Sequence, residues 1–308
     1  MKIPIPMKPL KVTLFLAGLL ILNAGCSSKK IPQEPQYEAA GNLLEIFKDY
    51  QRFAREDMYR YPIPKDITGA NIMKATLGRL GDYEEVHPDR FSDIVIFIKA
   101  EAYERLRDYE EAVNHYRKVT ESNGQLREKA EKSIVVLESF QEILNRPLPT
   151  KDPFEYIKTL DEKVVAWNKL TVQYEGTPYE YLARVEEETI DRAKVVFADI
   201  NRHRLKDGNQ LVILGYSQLI TKHRQSKNLY RYLLDFGDFY VKIAKEYTAR
   251  NDPEGLNFVP DTFDHLAKSA LKFYAEVSQQ DGITEKLEAK GKIQSLQALM
   301  QKIRRLNR

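Results

Sequence analysis

Side chains able to act as nucleophile, base or metal ligand are few and scattered in this chain. It has one cysteine, Cys26, and five histidines, His87, His115, His203, His223 and His265. His87 lies near Glu84, Glu85 and Asp89, and His265 near Asp261 and Asp264. Neither group has the paired spacing of a zinc site. Nucleophile elbows, phosphate loops and zinc-protease helices do not occur. These residues lead us to expect no catalytic site, no cofactor and no metal, and so a protein that is not an enzyme. Glu186–Glu188 is an acidic triplet on an expected helix and reads as solvated surface. A basic stretch contains Arg202, His203, Arg204, Lys206, Lys222, His223, Arg224, Lys227 and Arg231, with Tyr230 and Tyr232 interleaved. It reads as a face closed by local ion pairs or as a surface for an anion or an acidic partner.

Cys26 stands where its position gives it chemistry. Lys2, Lys8 and Lys11 make a positive start, Val12–Leu22 is an apolar run too short to span a bilayer, and Ala24 and Gly25 lead into the cysteine. A lone cysteine after small residues points to lipid attachment. The segment resembles bacterial lipoprotein signals, with Asn23 where that family usually has leucine. Ser27 stands where inner-membrane retention signals usually carry aspartate. The resemblance implies cleavage after residue 25, acylation of Cys26, and an outer-membrane lipoprotein facing the periplasm. With only one cysteine, no internal disulfide can staple the fold.

Lys and Arg number 48 against 45 Asp and Glu, a formal net charge of +3. Loss of residues 1–25 would remove three lysines and no acid, leaving a balanced chain. That argues against a nucleic-acid partner. Ser27–Ala40 is polar, with Pro32 and Pro35, and reads as a flexible tether.

Beyond Gly41 the apolar period is helical. Ile96, Ala100 and Tyr103 step by i, i+4, i+7, Leu106 extends the stripe, and Ala112, Tyr116 and Val119 repeat the spacing after the break at Arg107–Asp108. Ser92 or Asp93 is the expected cap. Two such helices must pack on each other, because each alone leaves its stripe in water. The segment Asp93–Gly124 resembles the tetratricopeptide repeat. Ala100 and Ala112 match its small positions, Tyr103, Tyr109 and Tyr116 its aromatic positions, and Val119 the end of its second helix. Ile96, Lys99 and Gly124 depart from the usual Trp, Leu and Pro. Gly237 and Tyr240, then Ala270, Tyr274 and Val277, match the same positions in a longer hairpin with a projecting loop at Asn251–Pro260. Trp167, Leu170 and Tyr174 stripe a further helix, ended by Gly176 and followed by Thr177 and Pro178. Anchor, tether and irregular repeats together resemble tetratricopeptide-type outer-membrane lipoproteins, among them the lipoprotein subunit of the β-barrel assembly machinery.

The expected fold is an all-α superhelix of irregular tetratricopeptide-like hairpins. The expected segments are signal peptide 1–25, lipidated cysteine and tether 26–40, an N-terminal helical region 41–146, a C-terminal helical region 147–282, and a basic amphipathic helix 283–308. Leu43, Leu44, Phe47, Tyr50 and Phe53 stripe the first helix, and Asp66–Tyr83 forms another that ends near Gly81. Ile293, Leu296, Met300 and Ile303 form the seam of the last helix, widened by Leu299 and Leu306, which either caps the stack or docks a partner. The expected function is a membrane-anchored periplasmic scaffold or adaptor that binds an envelope protein or peptide during envelope assembly, secretion or polymer export. The alternative is an accessory lipoprotein that binds lipopolysaccharide, peptidoglycan or anionic lipid through Arg202, Arg204, Lys206, Lys222, Arg224, Lys227 and Arg231.

Overall fold

The computed structural model describes residues 35–62, 66–122, 124–149 and 152–307. The signal segment and Cys26 lie outside the described residues. Among the described residues there is no strand. The helices are α1 (Pro35–Arg55), the short α2 (Asp57–Arg60), α3 (Ile67–Val86), α4 (Ser92–Arg105), α5 (Tyr109–Thr120), α6 (Arg127–Leu144), α7 (Pro153–Gln173), α8 (Pro178–Asn201), α9 (Gly208–Lys222), α10 (Leu229–Arg250), α11 (Pro260–Ser278) and α12 (Glu285–Leu306). Packing runs mainly between chain neighbours: α1 on α3, α3 on α4, α4 on α5, α5 on α6, α7 on α8, α8 on α9, α10 on α11 and α11 on α12. That order makes an all-α superhelix of tetratricopeptide-like hairpins.

The expected hairpin is α4–α5. Ala100 and Ala112 are fully buried where the two backbones approach, and Tyr109, Tyr116 and Val119 are buried beside them. Ile96 and Tyr103 are only partly buried, and Tyr103 lies against the His115 ring at 5.0 Å between centroids. α4 buries more than one stripe because it sits between two neighbours. Val95 and Ile98 join Leu43, Ile46, Tyr50, Met73, Leu80 and Tyr83 of α1 and α3, while Phe97 and Ala100 join the α5–α6 side. Asp108 caps α5 by accepting from Glu111 N at 3.3 Å. The expected cap of α4 is corrected. Neither Ser92 nor Asp93 serves; the cap position is Phe91, in the left-handed region at φ 55° with no side-chain cap bond. α3, capped by Asp66, runs past Gly81 to Val86, because Leu80 and Tyr83 bury on both sides of that glycine. α1 begins at Pro35 and buries Ala39, so part of the expected tether is helix.

An edge-to-face aromatic series links the two expected helical regions. Tyr109 meets Phe140 at 5.5 Å, and Phe140 meets the fully buried Trp167 at 4.9 Å. One apolar cluster therefore contains residues from both sides of Pro147 and Pro149. Such pairs add about 0.5–1.5 kcal/mol each beyond their burial. Gly176 ends the α7 region at φ 75°, and Pro178 takes the first turn of α8. Thr177 holds the cap position, but its hydroxyl donates to Tyr174 O at 2.7 Å rather than capping α8.

The α10–α11 hairpin is the longer repeat. Ala270, Tyr274 and Val277 are buried, and Tyr240 is partly buried against Phe236. Gly237 is where the Tyr274 ring crosses α10: a Cβ there would lie 2.8 Å from Tyr274 Cδ1. Two effects oppose each other in Gly237→Ala. Helix propensity favours alanine by about 1 kcal/mol, whereas overpacking costs typically about 1–3 kcal/mol. The ring is pinned by its hydroxyl, which donates to Asp238 Oδ1 at 2.6 Å. Gly237→Ala should therefore lower the melting temperature, and adding Tyr274→Leu should remove most of that penalty. Equal melting of Gly237→Ala and the parent would count against this packing. α12 covers the hairpin with Leu296, Met300 and Ile303 buried and Ile293 and Leu299 partly buried, whereas Leu306 is exposed.

Candidate partner-binding groove

Helices α1, α4 and α6 alternate with α3 and α5 in the stack, so they share one side of it. Between them lies a cavity of about 1020 Å³. Its wall is apolar: Leu43, Leu44 and Phe47 from α1, Phe91, Ile94, Phe97 and Ile98 at α4, and Leu126 before α6. Leu44, Phe91 and Ile94 are 65%, 43% and 41% exposed. That volume is at the upper end of small-ligand pockets, roughly 300–1,000 Å³. Three helices lining one trough suit an extended or helical segment better than a compact solute.

Charge is placed unevenly in the groove. Tyr50 Oη donates to Glu101 Oε2 at 3.3 Å, and Lys129 Nζ donates to Glu101 Oε1 at 3.1 Å. Arg105 donates to the Tyr50 hydroxyl, its guanidinium carbon lying 4.7 Å from the Tyr50 ring centroid. Lys129 thus pairs directly with Glu101, whereas Arg105 reaches that carboxylate only through the Tyr50 hydroxyl. Arg105 makes no ion pair among the described residues. Burial brings its pKa down to about 10. Arg55 and Arg60 stand further along the wall.

Behind the groove, Glu104 is buried on α4 and accepts from Tyr116 Oη at 3.0 Å. Burial pushes its carboxyl up to about 8, the nearby Glu101 charge adds to this, and the Tyr116 hydroxyl opposes it. Tyr179 of α8 is raised as well, chiefly by burial, and donates to Ser133 Oγ at 2.7 Å.

The reading of Glu186–Glu188 as solvated surface is corrected, because all three are buried. Successive helix positions turn by about 100°, so each carboxylate meets a different neighbour. Glu186 receives Arg107 through Nε and Nη2, each at 2.6 Å, and Tyr109 Oη at 2.8 Å. Glu187 pairs with Lys222 at 2.8 Å. Glu188 Oε1 accepts from Ser226 Oγ at 2.5 Å, Asn228 Nδ2 at 2.9 Å and Tyr232 Oη at 2.5 Å. The sequence offers little sign of this, since the partners lie about 40 to 80 positions away along the chain.

Part of the basic stretch is tied up in ion pairs, and of its cations only Arg202 is buried. Arg202 is buried, with Asp199 at 3.1 Å and Glu246 as partners. Lys222 also pairs with Asp191 at 2.7 Å, and His223 Nε2 lies 2.9 Å from the same carboxylate. Arg231 reaches Glu288 at 2.7 Å, and Lys227 lies over the Tyr181 ring at 5.7 Å. Arg204, Lys206 and Arg224 are exposed. The structure does not gather the seven cations into one open patch. Sequence reasoning missed the groove: the stripe Leu43, Leu44 and Phe47 was visible, but not that Leu44 would face an open trough. Among the described residues, no cluster of His, Cys, Asp or Glu is arranged to hold a metal, and no helix is long and apolar enough to cross a membrane. No protein-family model matches this chain, and no curated protein matches it.

Proposed function

We propose that this chain is a non-catalytic, lipid-anchored periplasmic scaffold of the outer membrane that holds an envelope protein by an apolar segment laid along α1, α4 and α6. The groove is the observation that carries this reading. It leaves large apolar side chains exposed on a braced wall, and such patches mark interaction surfaces. The signal-like segment ending at Cys26 supports the anchor. The ion pairs of Arg202, Lys222 and Arg231 favour a protein partner over an anionic lipid face, since they use up cations that such a face would need.

Two variants test the two halves of the proposal. Cys26→Ser should release the protein from the membrane fraction, and continued retention would remove the anchor. Phe91→Asp with Ile94→Asp should abolish partner crosslinks in intact cells. Both residues are substantially exposed, so melting should change little. An unchanged crosslink pattern in a folded double variant would exclude the groove as the binding surface.

A further inference from the structure

The α10–α11 loop has the chemistry that the groove lacks. Leu256 at its tip is 106% exposed. A lone exposed leucine is ordinary, but this one is held out by a braced loop. Pro253 and Phe258 are buried on either side of it. Tyr247 Oη accepts from Val259 N at 2.8 Å, Asn307 Nδ2 donates to Pro253 O at 2.8 Å, and Gly255 N donates to Asp252 O at 2.8 Å. Glu254 is exposed and has no ion pair among the described residues, and Val259 is 51% exposed. The loop therefore presents a carboxylate and two apolar side chains in a fixed arrangement.

The groove presents exposed apolar side chains and, at Arg105, a mostly buried cation without a carboxylate. Within one chain the two surfaces belong to separate packing units. Phe258 packs in a cluster drawn from residues 220–303, and the groove floor in one drawn from residues 43–106. We propose that the chain associates head to tail, with the Asn251–Pro260 loop of one copy seated in the α1/α4/α6 groove of the next and Glu254 facing its cationic wall. Such a contact is heterologous, so each copy has one knob and one socket, and the assembly grows as a string or closes as a ring. One loop in one trough is smaller than a standard stable interface, so the contact is transient. It competes with any other partner segment for the same trough. The inference uses the groove but neither the anchor nor the identity of that partner.

The test uses the full chain with Cys26→Ser, Leu44→Cys and Leu256→Cys, treated with a disulfide-forming oxidant. Leu44 and Leu256 are exposed, so folding should be preserved. A ladder of dimers, trimers and larger species is expected, and a mixture of the two single-cysteine chains should stop at dimers. Glu254→Arg in the two-cysteine chain should cut the yield roughly tenfold, through a new like-charge contact. The control pairs Leu256→Cys with Leu287→Cys, which is 78% exposed on α12. Absence of a ladder overturns the proposal. So does an equal ladder from the control pair, or a yield indifferent to Glu254→Arg. Loss of partner crosslinks in Phe91→Asp/Ile94→Asp without any ladder would support the scaffold reading while overturning this one.

Discussion

Glu186→Ala is expected to lower the unfolding free energy by about 3–5 kcal/mol, the cost of breaking a buried pair by removing one partner. The carboxylate is 2% exposed and receives three hydrogen bonds, two from Arg107 and one from Tyr109. Truncation strands a largely buried guanidinium and a buried phenol hydroxyl together. The loss comes mainly from those stranded groups and less from the pair's own attraction. Arg107→Met with Glu186→Leu should therefore recover the part due to the guanidinium, because apolar replacements of similar volume leave no charge buried, while the Tyr109 hydroxyl stays without its acceptor. Urea unfolding of the single and double variants measures both quantities. A single-variant loss under about 1 kcal/mol, the value of an exposed pair, would mean that the site is solvated and α8 is held elsewhere.

Stability should also fall with rising pH because of Glu104. In the unfolded chain this carboxyl ionises near its ordinary 4.5, and in the folded chain it keeps its proton to about 8. Below the lower value both states are protonated, and the group's contribution is fully present. Between the two values only the unfolded chain gives up the proton, so stability drops by about 1.4 kcal/mol per pH unit. The contribution is lost as pH rises through the folded value, and other groups that titrate in this range add their own slopes. Glu104→Gln keeps the shape and a donor but cannot ionise. Its melting temperature should exceed the parent's at pH 8 and approach it near pH 5. Parallel curves for the two proteins between pH 5 and 8 would show that the carboxyl titrates normally.

The hairpins were legible because their signal is local. Ala100 with Tyr103, Ala112 with Tyr116, and Gly237 with Tyr240 each repeat at helical spacing, and small residues mark where backbones approach. Turns were legible where a residue type has one physical use, as at Gly176 and Pro178. What stayed hidden depends on residues far apart in the chain. Three glutamates in a row look like a solvated run until Arg107, Lys222, Ser226 and Tyr232 are brought around them. For Arg202 and Arg231 the choice between a face closed by ion pairs and an open anion surface stayed undecided, because Glu246 and Glu288 lie 44 and 57 positions away. The extra buried positions of α4, Val95 and Ile98, follow from its having neighbours on two sides, which periodicity in one helix does not reveal. The groove is assembled from three helices, and no single stripe announces it.

The bond from Arg107 to Glu186 has a mechanical consequence. A coil whose turns touch only their neighbours flexes along its whole length like a spring. This strut bypasses α6 and α7 and ties the α4–α5 corner directly to α8. Under tension the middle of the coil should resist longest while the ends uncoil first. Cutting the strut should spread the strain evenly, and the protein would then lengthen at lower force.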